Sequence, residues 1–445
     1  MRYSRLFYKK FFLILGLYYI LQIIIKINYG GVEYDDAEQF ILSQHISLYY
    51  TNAQPPLYNW IQYIFFKIFG LNIFALALFK HILLFMIFYS YYILARELNL
   101  SKNRSILASS LLFLLPQISW GAEFKLTHSV LLLLVSIWTM IYILKLIKNP
   151  SYKNAIIFGI IMALGILSKY SYILLLLAIF IVLILDYKEL IFSRYILLSI
   201  IVSAILVMPH LIAFISHIDE VVNSIMSKTD KNLGIIHGFI SLIKSTFAFM
   251  APIFIIFGVM FLKDRYIFNK IDFNFLEKIV LIIFVLIAFF ILAGVFDDFK
   301  ERWFLPYLFV TPLIFVIRIK SIKLDIFSYI ITFVMVLLLV IFTTRLLFPD
   351  IIYKIKGKYS HDSIDYKYLK DYIIKNHSQP KRIYTDTLML GGNIKRVFPN
   401  SLVNDFSSNK KVDLVIKESN FKGAVKVEVP YKFSKNHKIY YIKFN

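Results

Sequence analysis

Phe11-Phe12-Leu13-Ile14-Leu15-Gly16-Leu17-Tyr18-Tyr19-Ile20-Leu21-Gln22-Ile23-Ile24-Ile25-Lys26-Ile27 is followed, a few residues on, by Tyr34-Asp35-Asp36-Ala37-Glu38-Gln39. The first stretch is of membrane-spanning length. The second sets three carboxylates within four positions at the hydrocarbon boundary. Arg2, Arg5, Lys9 and Lys10 precede the apolar run, which ends without the small-x-small site of a cleaved signal peptide. It therefore reads as an uncleaved first span with its N-terminus in the cytoplasm.

The pattern recurs over roughly the first three quarters of the chain. Of 445 residues 59% are hydrophobic, and the mean hydropathy is +0.70, far from a soluble domain. The net charge of +22 does not point to nucleic acid, because Lys and Arg sit in short loops between apolar runs and in the tail. That is the positive-inside pattern of membrane proteins. With no cysteine, disulfides, thiolate metal sites and a Cys nucleophile are excluded.

Eleven spans are expected, near 8–28, 73–95, 104–118, 127–147, 154–168, 170–186, 195–216, 237–262, 279–295, 302–319 and 324–346. Loops bearing Arg96 and Arg104, Lys145 and Lys148, Lys188 and Arg194, Arg265 and Lys270, and Lys320 and Lys323 then share the N-terminal, cytoplasmic side. The other side receives the 30–72 loop, which has no Lys or Arg between Tyr29 and Asn59. Within it, 57–69 is apolar but short and reads as an interfacial helix anchored by Trp60 and Tyr63. The expected fold is a polytopic α-helical membrane protein. Residues 1–350 form the transmembrane module and 351–445 a small α/β domain on the outer, periplasmic side. In the latter a helix is expected over 363–375, and strands over 382–388, 412–416, 424–429 and 439–444.

Ionisable groups at span ends are costly and mark function. Glu123, Lys125, His128, Lys169, Glu301 and Arg302 project to the same boundary as the Asp35 cluster, whereas Lys80, His81 and His210 lie deeper. Carboxylates with Lys and Arg at one level could hold an anionic lipid headgroup and act on it. Internal ion pairing is the plainer reading, above all for Lys80. The histidines lack metal-ligand spacing. No metal or other cofactor is required, and a hard divalent cation at Asp35 and Asp36 is the one ion the pattern allows.

Taken together, D-D-A-E-Q at 35–39, Q-P-P-L-Y-N-W at 54–60, L-T-H-S-V at 126–130, L-G-I-L-S-K-Y at 164–170, M-P-H at 208–210, E-R-W-F-L-P at 301–306 and D-T-L-M-L-G-G-N-I-K-R-V-F-P at 386–399 resemble the GT-C superfamily of polyprenyl-phosphate-sugar-dependent glycosyltransferases. The branch is the bacterial family-39-like set, related to protein O-mannosyltransferases and lipid A aminoarabinose transferases. The resemblance implies an inner-membrane hexosyl- or pentosyltransferase with a periplasmic site. It would move a sugar from a donor such as undecaprenyl-phosphate-sugar to lipopolysaccharide, another cell-envelope glycan or protein. The catalytic base falls on Asp35 or Asp36. Glu38, Gln54, Tyr58, His128, Lys169, Tyr170, Arg302 and Trp303 fall at substrate-binding positions, with Lys169 and Arg302 neutralising the lipid phosphate in one cavity. Two positions depart from the pattern: Gln54 stands where relatives carry Lys or His, and His128 where some carry Asp.

Two other classes compete. A flippase or transporter of lipid-linked sugars would place its ionisable residues near the bilayer midplane between broken helices. A glycan ligase or polymerase would share the outer face, with a large Arg-bearing loop late in the chain.

Overall fold

A computed structural model of the chain describes residues 2–50, 54–220, 233–263, 274–319, 324–404 and 412–444. Seven of the described helices are long and apolar enough to cross a membrane: Tyr3–Ile27, Ile73–Glu97, Thr127–Lys148, Arg194–Ile215, Ile235–Leu262, Phe275–Leu292 and Leu324–Leu347. The pair Lys102–Leu114 and Gln117–Phe124, bent by 68°, makes an eighth if counted as one span. The expected spans at 154–168 and 170–186 are shorter helices, Tyr152–Ser168 and Tyr172–Asp186. That at 302–319 is broken into Glu301–Phe304, Leu305–Leu308 and Thr311–Arg318. Among the described residues, length and composition thus carry seven or eight crossings, against the eleven expected.

Ion pairs gather one set of helix ends. Lys148 meets Glu97 at 3.0 Å, Lys278 meets Asp186 at 2.7 Å, and Arg318 Nε donates to Glu277 Oε1 at 2.7 Å. All lie at ends that the charge pattern assigns to one side. Asn274 and Glu277 also form a capping box that starts Phe275–Leu292. Arg265, Lys270, Lys320 and Lys323 lie outside the described residues.

The opposite ends carry the acidic loop. Its sequence folds into two helices, Tyr34–Leu42 and Leu57–Phe69. The second stops at Gly70, whose φ of 83° is open to glycine at little cost. Trp60, expected as a membrane anchor, instead donates its Nε1–H to the Ser47 carbonyl at 2.7 Å and ties down the intervening loop. The two helices pack through Phe40 and Phe66, whose rings stack at 5.0 Å.

The C-terminal segment builds a five-stranded mixed sheet: β1 Arg382–Thr385, β2 Leu402–Val403, β3 Leu414–Lys417, β4 Val425–Pro430 and β5 His437–Phe444, in the order β2-β1-β3-β5-β4. β1 runs parallel to β2 and β3, whereas β5 is antiparallel to β3 and β4. Alternation in β3 turns Leu414 and Ile416 inward. These two pack with Ile373, Ile383, Leu390 and Tyr440. The expected helix appears as Tyr366–Asn376. The helix Leu388–Val397 and the strand β2 were not anticipated from sequence.

This domain locks onto the acidic helix. A Cβ on Gly392 would come within 1.9 Å of the Ala37 carbonyl oxygen, so the two helices cross where only hydrogen fits. The Asn393 amide clamps the Val32 backbone, accepting its N–H at 2.8 Å and donating to its carbonyl at 3.0 Å. Gln44 does the same for Val403, donating to its carbonyl at 3.0 Å and accepting its N–H at 3.3 Å.

Candidate active site

Asp35 and Asp36 open the helix Tyr34–Leu42, where carboxylates complement the helix dipole. Their surroundings differ sharply. Asp36 is buried, with Oδ2 2.8 Å from Lys26 Nζ and Oδ1 accepting from Lys80 Nζ. Lys26 continues to Glu123 Oε1 at 3.4 Å, and Glu123 Oε2 meets His81 Nε2 at 3.0 Å. The expectation that Asp36 serves as an alternative base is corrected by these contacts. Each of its oxygens is engaged by an ammonium group and the side chain is buried, which leaves no oxygen facing a substrate. The same contacts make the Asp35–Asp36 pair unfit to hold a divalent cation. Among the described residues no cluster of three or more His, Asp or Glu side chains is placed to hold a metal ion.

Asp35 is half-buried, and its Oδ2 accepts the Leu126 N–H at 2.6 Å. Leu126 holds φ at 69°, a left-handed conformation costly for a branched side chain, just before the helix Thr127–Lys148. Three residues on, Ser129 Oγ accepts from Lys169 Nζ at 2.8 Å. One helical turn, about 5 Å of rise, therefore joins the backbone that holds Asp35 to the hydroxyl that holds Lys169. Lys169 itself caps the helix Tyr152–Ser168.

Two cavities flank this turn. The first, about 390 Å³, is lined by Glu33, Tyr34, Gln117, Trp120, Lys125, Leu126, Glu301, Arg302, Arg345, Lys356, Lys358 and His361. It is strongly cationic. Burial, with Arg345 close by, lowers the Lys356 ammonium below its ordinary range. Burial likewise lowers His361. Arg345 pairs with Glu33 at 2.6 Å and with Asp362, which accepts its Nε–H at 2.8 Å. Burial outweighs this guanidinium and raises the Asp362 carboxyl to about 6. The second cavity, about 430 Å³, is mostly apolar: Gln54, Lys169, Tyr170, Ser171 and Leu174 face Ile287, Phe290, Phe296, Phe299, Trp303, Phe304 and Tyr307.

The residues singled out from sequence divide between these places. Lys169 and Arg302, expected in one cavity, lie in two. The turn Glu301–Phe304 separates them, sending Arg302 to the cationic side and Trp303 to the apolar side. Tyr170 donates or accepts at His210 Nε2 across 3.1 Å, and His210 Nδ1 lies 2.7 Å from the Leu48 carbonyl, so both hold the loop beside Gln54. Tyr58 is fully buried between Phe79 and His128, with ring centroids at 4.9 and 5.4 Å. Glu38 is half-buried on the acidic helix. Sequence reasoning missed Lys26 and Arg345. The only signal for each was a lone cation at the end of a span, the usual mark of a snorkelling side chain.

The family of dolichyl-phosphate-mannose-protein mannosyltransferases matches residues 53–212. Two proteins of Rhizobium johnstonii, the lipopolysaccharide core galacturonosyltransferases RgtB and RgtA, are 25% and 26% identical over 406 residues. These alignments span 87% of this chain and 81% and 80% of theirs. The fold matches that of ArnT from Cupriavidus metallidurans, solved with undecaprenyl phosphate, at a TM-score of 0.65 and 10% identity over 97% of both chains. The apo form of the same protein gives 0.63 at 11% identity. The chain is thus similar in sequence to membrane glycosyltransferases of the protein mannosyltransferase and lipopolysaccharide core galacturonosyltransferase kinds, and it shares the fold of ArnT.

Proposed function

We propose that the protein is an inverting glycosyltransferase of the inner membrane. In this reading it moves a sugar from a polyprenyl-phosphate donor to the lipopolysaccharide core at the periplasmic face. The observation that carries it is the single helical turn, Leu126 to Ser129, that holds the Asp35 carboxylate at its start and the Lys169 ammonium at its end. Asp35 takes the proton of the acceptor hydroxyl as that oxygen attacks the anomeric carbon. The bond from that carbon to the phosphate oxygen breaks, and the electron pair leaves with the lipid phosphate. Lys169 and the amino end of Thr127–Lys148 stabilise that leaving charge. The apolar cavity beside Lys169 suits an isoprenoid chain. The cationic cavity suits an acidic core glycan, with Arg302 and Lys125 on its rim.

The relatives named as core galacturonosyltransferases and the neighbour solved with undecaprenyl phosphate favour this acceptor and this carrier. The test uses purified protein in nanodiscs, lipopolysaccharide core and undecaprenyl phosphate bearing galacturonic acid, mannose or aminoarabinose. Release of undecaprenyl phosphate with one of these donors, dependent on acceptor, is expected. A flippase releases none, and that result contradicts the reading.

A further inference from the structure

One residue after the last span, Leu324–Leu347, the chain enters a short helix, Pro349–Lys356, that the mechanism above does not use. Along the span Phe333, Val336, Val340 and Leu347 are exposed, and their spacing of three, four and seven puts them on one face. Exposed apolar side chains on a spanning helix meet lipid. The exposure does not stop where the span does. Phe348 is 55% exposed, Ile351 45% and Ile355 74%.

One side of the short helix is taken by the C-terminal domain. Asp350 Oδ1 accepts from the Ser434 hydroxyl and from the Tyr359 hydroxyl, each at 2.6 Å. Tyr353, three residues on and so on the same side, stacks on Tyr359 at 4.7 Å, and Tyr359 stacks on Tyr431 at 4.0 Å. At about 100° per residue, Ile351, Ile352 and Ile355 form a stripe on the opposite side. Lys354 borders that stripe on one edge and Lys356 on the other. The helix also turns across the end of the span. Phe348 leaves the helical conformation at the junction, with φ −129° and ψ 61°. A straight continuation would carry Lys356 about 16 Å beyond Arg345, yet both line the cationic cavity of about 390 Å³, with Arg302.

An apolar stripe edged by lysines, beside a span, suits a helix that rests in the headgroup layer. The stripe continues the lipid-facing side of Leu324–Leu347 without a gap, which favours lipid over a second protein. We infer that Pro349–Lys356 docks on the membrane surface, with Ile351 and Ile355 at the acyl boundary and Lys354 and Lys356 against anionic phospholipid headgroups. The C-terminal domain is thereby held to the bilayer, and Lys356 brings one wall of the cationic cavity to headgroup level. Under the transferase reading above, an acceptor anchored in that leaflet reaches the cavity without leaving the membrane. The docking itself does not depend on that reading.

The chain has no cysteine, so Ile351→Cys, Ile355→Cys and, on the exposed surface of Tyr366–Asn376, Lys375→Cys can each carry one environment-sensitive fluorophore. Each labelled protein is placed in nanodiscs of phosphatidylcholine, alone or mixed with phosphatidylglycerol, with and without nitroxide on the acyl chains. At 351 and 355 the emission is expected to shift to the blue and to lose intensity to the nitroxide, more so in the anionic disc. At 375 neither change is expected. Adding Lys354→Gln to the Ile355→Cys chain should lessen the quenching in the anionic disc and leave it unchanged in the neutral one. Emission at 351 and 355 as water-like as at 375 overturns the docking. A blue shift without quenching by lipid also overturns it, since a second copy or another protein then covers the stripe. Equal quenching in the two discs, or no effect of Lys354→Gln, overturns the anionic headgroup as partner. A wild type that releases no lipid phosphate, alongside labelled chains that show the expected quenching, contradicts the transferase reading and leaves the docking standing.

Discussion

Lys26 Nζ lies 2.8 Å from Asp36 Oδ2 and also meets Glu123, so the first span is tied to both the acidic helix and the bent segment that leads to Leu126. The network sets where Leu126 offers its N–H to Asp35. Removing one partner from a buried ion pair strands the other and typically costs about 3–5 kcal/mol. Lys80→Met, which strands Asp36 on one side, is expected to lower the melting temperature sharply. The double variant Lys80→Met with Asp36→Leu is expected to recover part of that loss. Thermal unfolding in detergent checks both. Equal destabilisation by the single and double variants contradicts the pairing.

The division of Lys169 and Arg302 between two cavities gives separate kinetic signatures. Lys169→Met is expected to weaken donor binding by about 2–5 kcal/mol, the cost of losing one charge from a desolvated pair. Arg302→Met is expected to leave donor affinity near the wild-type value and raise the KM for the acidic acceptor. Titrating each substrate at saturating levels of the other reads this directly. A matched loss of donor affinity in both variants means that the two cations share one phosphate after all.

The helix crossing at Gly392 is expected to tolerate nothing larger. Gly392→Val places a side chain against the Ala37 carbonyl and should detach the C-terminal domain from the acidic helix. Asn393→Leu, which removes the clamp on Val32, should do so more mildly. Limited proteolysis near Lys356–Lys358 should speed up in both, in that order. Unchanged cleavage argues that the interface is held elsewhere.

Membrane sidedness can be read because the chain has no cysteine. A single cysteine at Lys358, which lines the cationic cavity, is expected to react with an impermeant maleimide added to the periplasmic face. Reaction only after the inner membrane is opened reverses the orientation.

Much of this was legible in the sequence. Apolar runs and loop charge gave the helical membrane class, and the acidic cluster marked where charge would collect, because a hydrocarbon boundary tolerates few carboxylates without purpose. Asp35, Asp36 and Lys169 could all be named from their position at span ends. Their partners could not. Whether Asp36 would be open or locked depended on Lys26 and Lys80, which come from two other helices and carry no motif. The split between Lys169 and Arg302 depended on a short turn, Glu301–Phe304, where a continuous span was expected. Tyr58 drew notice as an aromatic beside Pro55-Pro56.

The most direct test of the account is turnover by Asp35→Asn. The amide keeps the shape and an oxygen for the Leu126 N–H but accepts no proton near neutral pH. Transfer should fall by about 10²–10⁴-fold, with undecaprenyl-phosphate binding and melting temperature close to wild type. Turnover near the wild-type rate in Asp35→Asn would contradict the assignment of the base and the mechanism built on it.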